Sequence, residues 1–169
     1  LNHSEREVIL QEADPNLIEL WAWLIGEATE ALIREIPVDI PEGVDIRLMG
    51  LGFGQASLVK HWQRTNNVGD CWTTSPWGDK PGQWTANTRA RVAEEVGGIA
   101  HWKLLIGDVK RRAWEVGSVP YPFTAFVDPP YEFNYRYRST LPDFDFEACA
   151  KTCRTWKDYG NQVIVCEAL

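Results

Sequence analysis

Two adjacent prolines, Pro129 and Pro130, constrain this chain most, because they close an apolar run that otherwise reads as a β-strand. In the stretch FTAFVDPPY, Phe123, Ala125 and Val127 alternate with Thr124 and Phe126, the pattern of a short buried strand. Neither proline has an N–H to give to a ladder and both fix φ, so the strand must stop at Val127. Asp128 and Tyr131 are then presented just past its C-terminal end, the edge at which open α/β sheets bind ligands. On these residues alone, a surface turn after a strand is the alternative.

The chain has 169 residues, 44% of them hydrophobic, enough for one core in a single domain over residues 1–169. No apolar run is long enough to cross a bilayer and no signal-peptide pattern opens the chain, so a cytoplasmic protein without a membrane partner is expected. The chain opens on Leu1 and its single methionine is Met49, which suggests a processed chain or a fragment. Of the cysteines at 71, 149, 153 and 166, only Cys149 and Cys153 fall one helical turn apart, and His3, His61 and His101 share no ligand spacing. Reduced thiols and no metal are therefore expected. The net charge of −7 argues against a uniformly basic nucleic-acid binder, yet residues 60–112 carry nine Lys/Arg against five acids. Such asymmetry suits one basic face that meets phosphates, or simply a solvated surface.

In chain order, Glu7 to Gln11 reads as a strand and the residues after Pro15 as a helix. Leu17, Leu20, Trp21, Leu24, Ile25, Ala28 and Leu32 recur at helical spacing, and Asp14 precedes Pro15 as an N-cap. IPVDIPEG (36–43) reads as a linker that ends this helix. Gly50, Gly52 and Gly54 precede a helix from Gln55 to Gln63. They fit a glycine-rich cofactor loop, a flexible turn, or close helix packing. From Arg64 to Trp102 the composition turns to Asn, Thr, Gly and Pro with interleaved tryptophans. A loop lying on nucleic acid and a compact loop packed on its own core both fit. A helix capped by Thr85 or Asn87 and stopped at Gly97-Gly98 follows, then a strand from Trp102 to Ile106 ending in Gly107-Asp108. After FTAFVDPPY comes an aromatic and basic loop with Arg136 and Arg138. A helix ending at Gly160 and a strand from Gln162 to Cys166 complete the chain.

The succession strand-acid-helix, aromatic-polar insert, strand-Gly-Asp, strand-DPPY, helix, strand resembles the Dam-type DNA adenine methylases, particularly their phage-like relatives. ILQEADPNLIELWAWLI, HWKLLIGD and FVDPPY carry the resemblance, which runs from about Glu7 to the end. It implies an α/β fold: a partial Rossmann-like class I methyltransferase sheet with helices on both faces and a DNA-contacting segment inserted at about 50–100. It implies S-adenosylmethionine as cofactor and DNA as partner.

By the same resemblance, Asp128, Pro129, Pro130 and Tyr131 form the catalytic motif. Glu12, with Asp14 beside it, would hold the cofactor ribose, and Gly107 and Asp108 would approach its adenine. The insert and the loop after the motif would supply nucleic-acid contacts from Arg64, Asn66, Asn67, Trp72, Lys80, Arg136 and Arg138. In the family a glycine-rich first motif stands before the position of Glu7, where this chain has only LNHSER, so an interior piece of a longer methylase is expected. A related amino methyltransferase acting on RNA or protein, and an inactive methylase-like nucleic-acid-binding protein, are the alternatives.

Overall fold

The computed structural model describes residues 8–12, 14–63, 72–74, 84–107, 122–128 and 145–166. The chain divides into two compact units, Leu1–Ile106 and Gly107–Leu169, each described by itself. Both combine helices with a small parallel strand pair, so the protein is mixed α/β.

In the first unit, β1 (Ile9–Glu12) pairs in parallel with β2 (Lys103–Ile106), with Ile9 opposite Lys103 and Glu12 opposite Ile106. Parallel neighbours need a long crossover, and here it contains every described helix of the unit. Helix α1 (Pro15–Gly26) starts as its sequence dictates. Asp14 Oδ1 accepts from the Asn16 N–H at 2.9 Å, and Pro15 occupies a first-turn position where a missing N–H costs nothing.

The periodicity predicts one helix through to the linker, but the structure breaks it in two. Helix α1 ends at Gly26, where the N–H groups of Glu27 and Ala28 both donate to Trp23 O at 2.9 Å. Thr29 then caps α2 (Glu30–Arg34), its Oγ1 accepting from the Leu32 N–H at 3.2 Å. The break changes which residues are buried. Ile33 and Ile36 reach zero exposure while Leu32, on the stripe of the unbroken pattern, stays half-buried. Each fully buried isoleucine stabilises by roughly 1.5–3 kcal/mol, which outweighs the few backbone bonds a continuous helix would keep.

Helix α3 (Phe53–Gln63) runs through the middle of this core, with Ala56, Leu58 and Val59 buried. Helix α4 (Ala86–Glu95) is capped by Thr85, which accepts from the Thr88 N–H at 3.2 Å, and adds Ala93. Gly97 and Gly98 end the α-helical turns by tightening into a 3-10 segment, Val96–Ile99.

The 36–43 segment, read from sequence as a linker, is fastened down. Trp84, 1% exposed, donates its indole N–H to Pro37 O at 3.0 Å, and Arg89 donates to Ile36 O at 2.8 Å. Thr74 donates its hydroxyl to Pro41 O at 2.6 Å and accepts at the same oxygen from the Val44 N–H at 2.9 Å.

In the second unit, β3 (Thr124–Val127) pairs in parallel with β4 (Gln162–Val165), and α5 (Phe146–Asp158) lies between them in sequence. Asp145 caps α5 by accepting from the Ala148 N–H at 2.9 Å, and Gly160 (φ +83°) turns the chain out of it. Trp156 and Cys149 are the buried residues of α5, and Phe123 meets the Trp156 ring edge-on with centroids 5.7 Å apart. The strand expected at FTAFV is present, but it is not buried on both faces. Ala125 and Val127 are half-buried whereas Phe126 is 68% exposed.

Among the described residues no helix is long and apolar enough to cross a membrane. Cys149, Cys153 and Cys166 are free thiols, and no group of three or more His, Cys, Asp or Glu among the described residues is placed to hold a metal ion.

Candidate functional site

The double proline ends β3 where its chemistry requires. Val127 is the last strand residue, its carbonyl accepting from the Cys166 N–H at 2.8 Å, and Asp128 follows as an exposed carboxylate beyond that final rung. Asp128 therefore stands at the C-terminal end of a parallel strand pair. Pro129, Pro130 and Tyr131 lie outside the described residues.

The other strand pair carries the second cluster at its own C-terminal end. Glu12 is the last residue of β1 and lies in register with Ile106, the last of β2, so Glu12 stands at the C-terminal end of this parallel pair. Glu12 Oε1 accepts from the Asp14 N–H at 2.9 Å, which orients the carboxylate across the strand end. Asp14 does different work. Its Oδ1 accepts both from the Asn16 backbone N–H and from Asn16 Nδ2 at 3.2 Å, so one oxygen is committed to starting α1. Of the two acids proposed for the ribose, Glu12 is the one at the sheet edge. Gly107 has φ +128°, a conformation that L side chains rarely adopt, and a Cβ there would meet open space. Glycine is needed at 107 for the turn of the backbone, not for room. Asp108 lies outside the described residues.

The three glycines at 50–54 separate into three local roles. Gly50 has φ +71° and turns the chain. Gly52 donates its N–H to Gln55 Oε1 at 3.0 Å, so a side chain already satisfies one of the open donors at the start of α3. Gly54 lies against the Trp23 ring so closely that a Cβ would overlap it. What precedes them is a 3-10 turn, Ile46–Leu48, not the strand that a cofactor-binding glycine loop follows. Close helix packing is the reading the structure supports for Gly54.

The tryptophans of the 62–102 region turn inward wherever they are described. Trp84 is core. Trp72 is half-buried, with Lys60 Nζ 4.1 Å from its ring centroid, Arg47 Cζ at 5.9 Å and Phe53 at 6.1 Å between centroids. Lys60 itself is only 4% exposed, so its charge sits against the indole instead of in solvent. Arg91 lies over Trp62 with Cζ 5.9 Å from the centroid, and Trp102 stacks on Trp21 at 6.1 Å. Trp102 Nε1 is buried without a hydrogen-bond partner among the described residues. The exposed-looking aromatics of the sequence are thus packing residues in these instances. Arg64, Asn66, Asn67, Lys80, Arg136 and Arg138 lie outside the described residues.

One shifted acid stands apart from these clusters. Arg47 donates from Nη2 to Asp45 Oδ2 at 2.6 Å and from Nε to Oδ1 at 3.0 Å, and its backbone N–H donates to Oδ1 as well. The side-chain bonds from Arg47 hold the Asp45 carboxyl below its ordinary value.

No family model, no curated protein and no solved structure matches this chain.

Proposed function

We propose that this chain carries the catalytic motif of an S-adenosylmethionine-dependent methyltransferase that acts on the N6 amino group of adenine in DNA. The observation that carries the proposal is the position of Asp128, an exposed carboxylate one residue beyond the last rung of a parallel pair and immediately before two prolines. Parallel strand pairs connected through helices are compatible with a partial Rossmann-like methyltransferase fold. Glu12, at the C-terminal end of the β1–β2 pair, supports a cofactor-binding role for that edge.

An exocyclic amino group is a poor nucleophile because its lone pair is delocalised into the ring. Asp128 and a carbonyl of the Pro129-Pro130 segment accept hydrogen bonds from the two amine hydrogens, which favours sp³ character at nitrogen and exposes the lone pair. S-adenosylmethionine supplies the sulfonium methyl. With that cofactor bound, the N–C bond would form as the C–S bond breaks, the electron pair would leave on sulfur, and the amine's surplus proton would pass to solvent. Asp128 works by positioning and electrostatic stabilisation, not by deep proton abstraction. Tyr131 stacks on the base, which must leave the duplex to reach the motif. Glu12 accepts from the ribose hydroxyls and Asp108 from the cofactor's adenine amine. DNA contacts fall to Arg64, Asn66, Asn67, Lys80, Arg136 and Arg138, because the Trp72 ring is occupied by Lys60.

The test is transfer of labelled methyl from S-adenosylmethionine to duplex DNA by the full-length protein. Asp128→Ala abolishes transfer while cofactor affinity, read by titration calorimetry, is kept; Glu12→Ala weakens cofactor affinity. Retained transfer in Asp128→Ala removes the catalytic assignment, and a preference for single-stranded RNA moves the substrate to the related amino methyltransferases.

A further inference from the structure

The β3–β4 pair carries apolar residues on both of its faces. Phe126, Ile164 and Val165 are exposed, while Ala125, Val127 and Val163 are half-buried. Burial specifies register strongly only where one face alone is apolar, so it constrains this pair weakly. The edge-on contact of Phe123 with Trp156 selects a face for β3. The position of β3 along β4 is set by polar bonds at the end of the pair opposite Asp128.

Asn161 stands between the end of α5 and the start of β4, and its amide group serves two elements at once. Its Oδ1 accepts from the Phe123 N–H, just before β3, at 2.9 Å. Its Nδ2 donates to Trp156 O, in the last turn of α5, at 3.0 Å. A donor on one side and an acceptor on the other leave only this orientation of the amide. Beside it the Gln162 N–H donates to Phe123 O at 3.0 Å, so Phe123 is held through both its N–H and its carbonyl. Thr124 donates its hydroxyl to Gln162 Oε1 at 3.0 Å. From there the strands run in register, from Thr124 opposite Gln162 to Val127 opposite Val165, and the last rung reaches Val127 O.

This register decides where Asp128 leaves the pair. A slip of one residue would move it about 3.3 Å along β4 and turn its side chain to the other face. Misplacing a reacting group by about 1 Å already costs about 100-fold in rate. We propose that Asn161 is a positioning residue for the reaction: through Phe123 it sets the register of β3 on β4, and with it the place of the Asp128 carboxylate. The role rests on the methyltransferase reading of Asp128, whereas the register does not.

Three changes to the full-length protein separate register from stability. Asn161→Ala removes both amide bonds. Asn161→Asp keeps an acceptor for the Phe123 N–H but sets a carboxylate against Trp156 O at the negative end of α5, which lowers the denaturation midpoint. An ester in place of the Pro122–Phe123 amide, made by semisynthesis, removes the donated N–H and alters no side chain. Methyl transfer is measured on each, together with the backbone NOEs between Phe126 and Ile164, which are in register in the wild type. Asn161→Ala and the ester are expected to lose those NOEs and about 100-fold in kcat, with KM for S-adenosylmethionine unchanged. Asn161→Asp keeps the NOEs and a kcat near the wild-type value despite its lower stability. A kcat that falls as far in Asn161→Asp as in Asn161→Ala marks a purely structural residue and overturns the proposal, as does a lost register with unchanged kcat. If Asn161→Ala does not fold, the ester decides: retained Phe126–Ile164 NOEs there overturn the proposal whatever the activity. A wild-type protein that transfers no methyl removes the methyltransferase reading, and the positioning role with it, while the NOEs still report the register.

Discussion

Gly54 lies directly against the indole of Trp23, with no room for a Cβ between the backbone of α3 and the ring. Two effects oppose each other in Gly54→Ala. Helix propensity favours alanine by about 1 kcal/mol. The methyl, however, would meet atoms at the root of the indole, which cannot swing away as the tip of a flexible side chain can. Overpacking wins, with a net destabilisation of about 1–3 kcal/mol. In a Trp23→Ala background the same change becomes neutral or stabilising, and a denaturant double-mutant cycle measures the sign change.

Trp84→Phe is expected to lower stability by about 1–3 kcal/mol, because Pro37 O loses its indole donor and a smaller ring leaves a void in the core. The denaturation midpoint falls while the slope stays at the wild-type value.

At Gly107 the cost of alanine is conformational, since the space is open but φ is +128°. Gly107→Ala costs about 1–3 kcal/mol. Replacement by D-alanine, which accepts positive φ, recovers most of that loss in a semisynthetic chain.

The pair Asp45–Arg47 carries a pH signature. The folded carboxyl titrates below its unfolded value because Arg47 holds the charged form. Its stabilisation is therefore fully present above the unfolded value and is lost as pH falls through the lower, folded one. A carbon-detected NMR titration should place Asp45 below the ordinary aspartate value of about 3.9, and Arg47→Ala should move it upward. An unmoved midpoint in Arg47→Ala shows that another group causes the shift.

Local order was legible wherever a residue's own chemistry dictates it. Asp14-Pro15 starts α1, Thr85 starts α4, Gly160 ends α5, and Pro129-Pro130 stops β3. Such signals need no partner from elsewhere in the chain, because a missing N–H or a positive φ acts on its neighbours alone. The strands at Ile9–Glu12, Lys103–Ile106 and Gln162–Val165 could likewise be found from their apolar runs, to within a residue or two.

The sequence by itself determined those element ends that a proline, a capping side chain or a positive-φ glycine sets, and that Asp128 follows a strand. Only the tertiary structure decided what the side chains do. Periodicity could not break α1 from α2, because burial of Ile33 and Ile36 set that choice. Composition could not separate a tryptophan that meets a ligand from Trp84 bonded to Pro37 or Trp72 beneath Lys60. Nor could a run of glycines show that Gly54 makes room for Trp23, thirty-one positions earlier in the chain. Packing partners are set by contacts between residues far apart in sequence, and no local pattern encodes them.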